Sequence, residues 1–379
     1  TRRLFWAAVG TSVLAAHPCM AVWSAGGMET MLYTFLVVLS ALGVLLVHRT
    51  DSAWAWVCLT SGLVLLSFGR TEGVLFSFAF GLYAIFQSND ELSWPRTVVC
   101  LLIVGATVAA HLLIRKWYYG LWFPLPVYAK GHEGMGLGMV LVALYSYPIQ
   151  AVLGVLALAL TKAPEVRSVL RFSVIATLLM CLILRNVDPV MQNHQRYLTP
   201  LIPLFYLAAS IGLAELAATM KEGLTPLVLL GFAPFFLNEP QLLGADRNAE
   251  VAESISYSEG LRRSHVTLGH WLRENVPDRS TWVASTDCGV LPYYSKLKWI
   301  DLAGLNDAYL ARNGGEAGYV FDRRPELIIL TPLRVDAPIR QSERLAQNYK
   351  LVGVWPGFYN LELFRRLDVP PFAIERQGL

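Results

Sequence analysis

Residues 31–47 read MLYTFLVVLSALGVLLV, a run without a single charged side chain. Polar segments flank it on both sides, SAGGMET at 24–30 and HRTDSA at 48–53. A helix that crosses a membrane needs roughly 20 predominantly apolar residues, fewer when it packs inside a bundle. This stretch therefore predicts a membrane-spanning helix, and similar runs recur along the chain.

The composition divides the chain in two. Of its 379 residues, 55% are hydrophobic and only 16% are charged, whereas soluble proteins carry about a quarter charged residues. Residues 1–239 hold 14 Lys/Arg and 11 Asp/Glu, and the shorter remainder holds 17 of each. We therefore predict a transmembrane domain over 1–238 and a soluble α/β domain over 239–379. Because this soluble part has equal numbers of basic and acidic residues, its net charge gives no indication of a nucleic-acid partner.

The apolar runs predict an α-helical polytopic membrane protein with about nine spans. The two shortest runs, 73–86 and 224–237, fit a re-entrant or interfacial element equally well. The nine runs are 4–22, 31–47, 54–69, 73–86, 97–114, 136–160, 169–184, 197–217 and 224–237.

Nine spans would place the two chain ends on opposite sides of the membrane and divide the loops into two sets. The unusual polar clusters all fall in the set that includes the C-terminal domain. The other set has slightly more Lys and Arg, which favours the cytoplasm for it. We therefore expect a multi-pass protein of the cell inner (plasma) membrane, with the C-terminal domain extracytoplasmic. The clusters are Ser24–Thr30, Gly69–Gly73, Tyr118–Lys130 and Asn193–Tyr197.

Charged groups near membrane depth tend to be paired or functional. Arg70 and Glu72 bracket a break between two apolar runs. This fits either a structural ion pair or a substrate-binding pair in which Arg70 contacts a phosphate and Glu72 orients Arg70. Residues 115–130 read RKWYYGLWFPLPVYAK. Tyr118 and Tyr119 there suit an interfacial belt or stacking on sugar rings, and Lys130 offers a cation to a phosphate.

A further candidate group, His194, Arg196 and Tyr197, immediately precedes a span. The Arg196 side chain either extends to lipid headgroups or binds the phosphate of a lipid carrier. His194 lacks the spacing of a metal ligand, and the five cysteines lack zinc or iron–sulfur spacing. The sequence therefore predicts no metal site, and it leaves the binding of a divalent ion as an open alternative.

The C-terminal part predicts an amphipathic helix over 259–275 with short strands after it. Helix and strand alternation indicates a small α/β layer fold. No nucleotide-binding fingerprint occurs, so we interpret this domain as a cap that binds or positions an acceptor. Asp287 is a turn-former or, alternatively, a catalyst. The predicted strands are 281–285, 298–302, 326–330, 351–355 and 359–364.

Five motifs in order resemble the polytopic GT-C glycosyltransferases, nearest to the bacterial group that includes terminal arabinofuranosyltransferases of mycobacterial cell-wall assembly. Thr71 stands where that family usually has Pro, and Leu125-Pro126 replaces its Asn. The similar stretches are Ser24–Thr30, Arg70-Thr71-Glu72-Gly73, Tyr118-Tyr119-Gly120 through Ala129-Lys130, Arg196–Pro203, and Asp287-Cys288-Gly289 through Asn306-Asp307.

The resemblance implies an inverting transfer of a sugar from a polyprenyl-phosphate donor to an extracytoplasmic cell-envelope glycan, lipid or protein acceptor. It implies substrate-binding roles for the cations and aromatic residues above, and no cofactor. The family's acidic pair has no counterpart here, so we expect the main base upstream of Thr1 and a supporting role for Glu29.

Two other classes of protein fit parts of the sequence. A transporter or flippase for lipid-linked saccharides predicts inverted repeats and mid-bilayer charges, which the sequence does not show clearly. A non-catalytic protein that binds lipid-linked saccharides leaves the one-sided clusters without an explanation.

Overall fold

The computed structural model describes residues 2–86, 93–129, 146–184, 196–219 and 247–372. The chain forms two compact units. The helical unit comprises Thr1–Phe123 and His132–Val251, and the C-terminal unit comprises Pro124–Gly131 and Ala252–Leu379. The short segment Pro124–Gly131 thus belongs to the C-terminal unit, although the sequence assigned it to the membrane domain. The predicted boundary after residue 238 lies outside the described residues.

Apolar helices make up the described part of the helical unit. Two short 3-10 turns, Thr71–Gly73 and Thr199–Leu201, directly precede helices. The helices are α1 (Arg2–Ala15), α2 (Pro18–Ala25), α3 (Thr30–Thr50), α4 (Ala53–Gly69), α5 (Val74–Phe86), α6 (Trp94–Tyr119), α8 (Pro148–Leu160), α9 (Pro164–Leu184) and α10 (Ile202–Thr219), with α7 (Leu125–Ala129) lying in the C-terminal unit.

The expected count of nine spans is not supported within these described residues. Three helices are long and apolar enough to cross a membrane, namely Thr30–Thr50, Trp94–Tyr119 and Thr199–Thr219. A fourth results if Leu4–Ala15 and Pro18–Ala25, bent by 54° at their junction, form one span. These helices are consistent with membrane association.

Helix length explains most of the difference between the nine predicted spans and the three or four candidate spans. Three of the predicted runs form helices of 10–17 residues, Ala53–Gly69, Thr71–Ile85 and Pro148–Leu160. At 1.5 Å per residue such helices fall short of the roughly 30 Å of a hydrocarbon core. The run at 224–237 lies outside the described residues.

Close helix contacts at glycines organise the helical unit. A Cβ added at Gly43 of α3 would lie 2.7 Å from the Leu59 backbone of α4, and one at Gly212 of α10 would lie 2.1 Å from the Leu153 carbonyl oxygen of α8. Only glycine permits these approaches. The core between α3, α4, α5 and α9 is aromatic and aliphatic, and it includes Tyr33, Leu59, Leu63, Phe76, Phe80 and Phe172.

A continuous helical segment leads into the larger part of the C-terminal unit, which starts at Ala252. Helix α11 (Arg247–Leu261) passes through one π turn (Arg262–Val266) into α12 (Thr267–Asn275), so the predicted amphipathic helix at 259–275 starts earlier than expected. The later elements are β1 (Trp282–Ser285), α13 (Val290–Ser295), β2 (Lys298–Asp301), α14 (Ala308–Asn313), α15 (Ala317–Asp322), β3 (Leu327–Leu330), a 3-10 turn (Arg334–Asp336), α16 (Ala337–Arg340), α17 (Glu343–Asn348), β4 (Tyr349–Trp355) and β5 (Leu361–Arg366).

Five strands form one sheet in the order β2-β1-β3-β5-β4. β1 pairs in parallel with β2 and β3, whereas β5 runs antiparallel to β3 and to β4. Each strand overlaps one predicted from the sequence, so the expected sheet-containing C-terminal region is confirmed. β3 is buried along its whole length, as expected of an interior strand with both faces covered.

Candidate functional site

Three helix ends of the helical unit converge on one cluster of charged side chains. Glu29 precedes α3, Arg70 follows α4, and Arg196 precedes the turn that leads into α10. The guanidinium groups of Arg70 and Arg196 both bond to the same oxygen of Glu29. We call Glu29, Arg70, Glu72 and Arg196 the charged cluster.

The backbone before α3 leaves the Glu29 side chain available for this role. Gly27 has φ +63°, a left-handed conformation that favours glycine, and it lies in the short connection between α2 and Glu29. Glu29 occupies the N-cap position of α3, yet its side chain makes no capping hydrogen bond. The carboxylate therefore extends to the arginines.

A tight turn sets the position of Arg70. Its backbone is extended, and the 3-10 turn that follows is closed by a hydrogen bond from Gly73 N to Arg70 O at 3.0 Å. A Cβ at position 73 would lie 1.8 Å from the Leu66 carbonyl oxygen. The glycine of the Arg-Thr-Glu-Gly motif is thus required by sterics, and it places Glu72 beside Arg70.

Hydrogen bonds link the four side chains into one network. Arg70 donates from Nη1 to Glu29 Oε1 at 3.0 Å, and Arg196 donates from Nη2 to the same atom at 3.2 Å. Arg70 also holds both oxygens of Glu72, from Nε at 3.4 Å and from Nη2 at 3.3 Å. The formal charges sum to zero, which reduces the cost of burying them.

Aromatic rings surround the two guanidinium groups. Arg70 lies 5.7 Å from the ring centre of Tyr33 and 5.5 Å from that of Tyr197, and Arg196 lies 5.6 Å from that of Trp23. Such cation–π contacts contribute about 0.5–2 kcal/mol each. The arginine side chains are therefore held by several contacts at once.

The network still has unused polar atoms. Arg196 Nε and Tyr33 Oη are buried and have no hydrogen-bond partner in the described part of the chain. Buried polar groups are almost always satisfied by protein, water or a ligand. The side chain of Glu29 is 40% exposed, whereas that of Arg196 is 8% exposed, so the network is open to solvent on the Glu29 side. An anionic or hydroxyl-bearing group would fit this chemistry.

The structure brings together five of the predicted site residues, the charged cluster and Tyr197. Tyr118 and Tyr119 lie instead at the exposed end of α6, where the described contacts of their rings are with each other, Trp117 and Arg115. Lys130 and His194 lie outside the described residues.

Sequence reasoning missed two residues that contact the arginines, Trp23 and Tyr33. Tyr33 follows Glu29 by four residues and so shares its helix face, which is a signal that the sequence carries. Trp23 directly precedes the Ser24–Thr30 motif, but nothing in the spacing indicates its partner, which lies far along the chain.

In the C-terminal unit, the carboxylate of Asp287 is engaged in hydrogen bonds to the backbone. This side chain accepts hydrogen bonds from the backbone N–H groups of Gly289, Val290 and Leu291 at 2.7–3.2 Å, so it closes the turn before α13. Burial, together with nearby Asp301, raises the pKa of Cys288 to about 11, and its thiol therefore stays protonated near neutral pH. The turn-forming interpretation of Asp287 agrees with this geometry.

No group of three or more His, Cys, Asp and Glu side chains that could hold a metal ion occurs in the described ranges.

The architecture is that of a mostly helical protein with several apolar helices that could span a membrane, followed by a sheet-containing C-terminal region. The family model of a domain of unknown function (DUF8728) matches residues 253–371, which is similar in extent to the C-terminal unit. No curated protein and no solved structure matches the chain.

Proposed function

We propose that the chain is an integral membrane glycosyltransferase. It moves a sugar, with inversion, from a polyprenyl-phosphate donor to an extracytoplasmic glycan, lipid or protein acceptor of the cell envelope. The observation that supports this most is the convergence of Arg70 and Arg196 at the ends of apolar helices, with unused donor capacity on Arg196. In this proposal the charged phosphate of the lipid donor binds to these guanidinium groups at the helix ends.

In the proposed reaction, the bond between the sugar C1 and the phosphate oxygen breaks while a bond from C1 to the acceptor oxygen forms. The polyprenyl phosphate leaves with the bonding electrons, and the acceptor proton passes to a carboxylate base. Arg196, with Arg70 beside it, stabilises the charge on the leaving phosphate. Arg suits this role because its planar fork matches phosphate geometry.

Glu29 has a positioning role in this proposal. Its Oε1 atom bonds to both guanidinium groups, so the carboxylate fixes their separation and orientation. A carboxylate held in this way is poorly placed to take a proton from an acceptor. We therefore assign the base to another carboxylate.

Lipid binding tests the role of Arg196. The wild-type protein in detergent micelles is titrated with polyprenyl monophosphate and with the same polyprenol lacking phosphate. We expect tighter binding of the phosphate form, and a loss of at least about tenfold in that preference for Arg196→Ala, the equivalent of one charge-assisted hydrogen bond.

Arg49→Ala is the matched control, because Arg49 is an exposed arginine at the other end of α3, about 30 Å from Glu29 at 1.5 Å per residue. It should leave the preference unchanged. Equal binding of phosphate and alcohol by wild type, or equal loss in both variants, would reject the phosphate site.

Orientation is part of the same proposal. The C-terminal unit and the charged cluster lie on the extracytoplasmic side, and the start of α4 faces the cytoplasm. Single cysteines at Arg262 and Ala53, both exposed, in a background with the native cysteines replaced, should label from outside and inside respectively. Labelling of Arg262→Cys from the cytoplasm would overturn the orientation.

A further inference from the structure

Two tyrosines of the C-terminal unit form a flat stack. The rings of Tyr309 and Tyr319 lie 4.1 Å apart between centres and within 8° of parallel. The guanidinium of Arg323 lies 4.5 Å from the Tyr319 ring centre. Because Tyr309 already covers one face of Tyr319, Arg323 occupies the other face. Tyr309 and Arg323 are therefore the two outer layers, on opposite faces of Tyr319.

The chain around the stack holds both rings in fixed positions. Helix α14 ends at Gly314, whose φ of +77° favours glycine, and this turn brings α15 back beside α14. The hydroxyl of Tyr319 donates to Asp307, and that of Tyr309 donates to Glu316 at 2.6 Å. A platform that is ordered in advance loses little conformational entropy when a ligand binds.

The outer face of Tyr309 is not used by the core. Tyr309 is 41% exposed, although one face is covered by Tyr319, so the exposed area lies on the opposite face and at the ring edge. Tyr319 packs against the buried cluster around Ile300 and Val320, whereas Tyr309 lies outside that cluster. Support of the fold alone therefore does not explain the second tyrosine.

The charges around the stack indicate what would bind there. Asp307 and Glu316 are balanced by Arg312 and Arg323, and both arginines already lie over aromatic rings, those of Tyr128 and Tyr319. A phosphorylated ligand would be repelled by the two carboxylates, Asp307 and Glu316. A neutral ligand with an apolar face and hydroxyl groups at its edge fits better, since Glu316 is an exposed hydrogen-bond acceptor.

We propose that the outer face of Tyr309 is a stacking platform for a sugar ring of a neutral glycan, and that Glu316 accepts a hydrogen bond from one of its hydroxyls. The choice of a glycan rests on the proposed function, in which the acceptor is a cell-envelope saccharide. The binding step itself requires no donor and no transfer.

Titration of the full-length protein with neutral oligosaccharides tests the platform. The probes are a short linear oligo-arabinofuranoside, a cello-oligosaccharide and an oligoproline peptide, each followed by saturation-transfer NMR. We expect at least one oligosaccharide to bind, and Tyr309→Ala to weaken it about three- to tenfold, the scale of one aromatic contact.

Two further variants separate stacking from general effects. Tyr309→Phe keeps the ring and should retain most of the affinity. Tyr293→Ala is the matched control, since Tyr293 is another exposed tyrosine of the same unit, 65% exposed, and it should bind like wild type. Absence of binding by both oligosaccharides, an unchanged affinity in Tyr309→Ala, or binding of oligoproline alone would overturn the inference.

The outcome is distinguishable from that of the proposed function. Arg196→Ala should bind the oligosaccharide normally, because Arg196 belongs to the helical unit. Oligosaccharide binding by a protein that shows no sugar transfer would keep the platform and reject the enzyme. Sugar transfer at the wild-type rate in Tyr309→Ala, together with an unchanged oligosaccharide affinity, would reject the platform and keep the enzyme.

Discussion

Replacing Arg70 by Ala should destabilise the helical unit strongly. Arg70 makes three hydrogen bonds to two carboxylates, and its side chain is 11% exposed. Its removal leaves Glu72, whose side chain is 18% exposed, without its guanidinium partner. Removing one partner of a buried ion pair typically costs about 3–5 kcal/mol, so we expect a loss of that size.

The unpaired carboxylate of Glu72 accounts for most of this loss of stability, and a second substitution tests that explanation. Glu72→Gln in the Arg70→Ala background should recover part of the loss, because a neutral amide is cheaper to bury than an unpaired charge. Arg196→Ala should cost less than Arg70→Ala, since Glu29 keeps its bond to Arg70.

The assay is reversible unfolding of the full chain in mixed micelles by increasing SDS, followed by the loss of helical circular dichroism. Because two units contribute to the signal, each variant is compared at the same transition. A cost for Arg70→Ala below about 1 kcal/mol, the scale of an exposed pair, would refute the buried network. So would a lack of any recovery from Glu72→Gln.

The other predictions concern transfer and pH. Arg196→Lys should retain more sugar transfer than Arg196→Ala because it keeps the charge, but less than wild type because it loses the fork. A wild-type rate for Arg196→Lys in radiolabelled transfer assays would contradict a forked contact. Glu29→Gln should lower turnover without abolishing it, since an amide oxygen still accepts both bonds, and complete loss would make Glu29 the base. Burial raises the pKa of Asp336, so its ionisation costs stability as the pH rises above the ordinary aspartate range, and the cost is absent at lower pH. Asp336→Asn should therefore raise the melting temperature more near neutral pH than near pH 4, which is about the ordinary aspartate pKa. The amide oxygen of the Asn side chain can still accept hydrogen bonds from Thr331. An equal shift of the melting temperature at both pH values would contradict this prediction.

The sequence located helices and strands well but counted spans poorly. An apolar run indicates burial, and burial inside a helical bundle gives the same pattern as burial in lipid. The segment at 73–86 shows this, because it forms a 13-residue helix with Phe76 and Phe80 fully buried. In this segment the length of the folded helix, rather than its apolar composition, falls short of a membrane span.

The charged cluster was only partly predictable. Arg70 and Glu72 pair across a tight turn that their spacing and Gly73 already indicated. The convergence of Glu29 with Arg70 and Arg196, 41 and 167 residues away, depends on how α3, α4 and α10 pack, which no local pattern specifies. The position of Pro124–Gly131 in the C-terminal unit was likewise not predictable from its apolar, aromatic sequence.

Transfer by the purified protein tests the central claim most directly. The full-length chain in liposomes is given a polyprenyl-phosphoryl arabinofuranose with a radiolabelled sugar, together with an arabino-oligosaccharide acceptor. We predict a lengthened, labelled oligosaccharide with inverted anomeric configuration, free polyprenyl phosphate in equal amount, and a rate at least about tenfold lower in Arg196→Ala but unchanged in Arg49→Ala. Movement of the intact labelled lipid across the bilayer without any new glycosidic bond would contradict the account and identify a flippase instead.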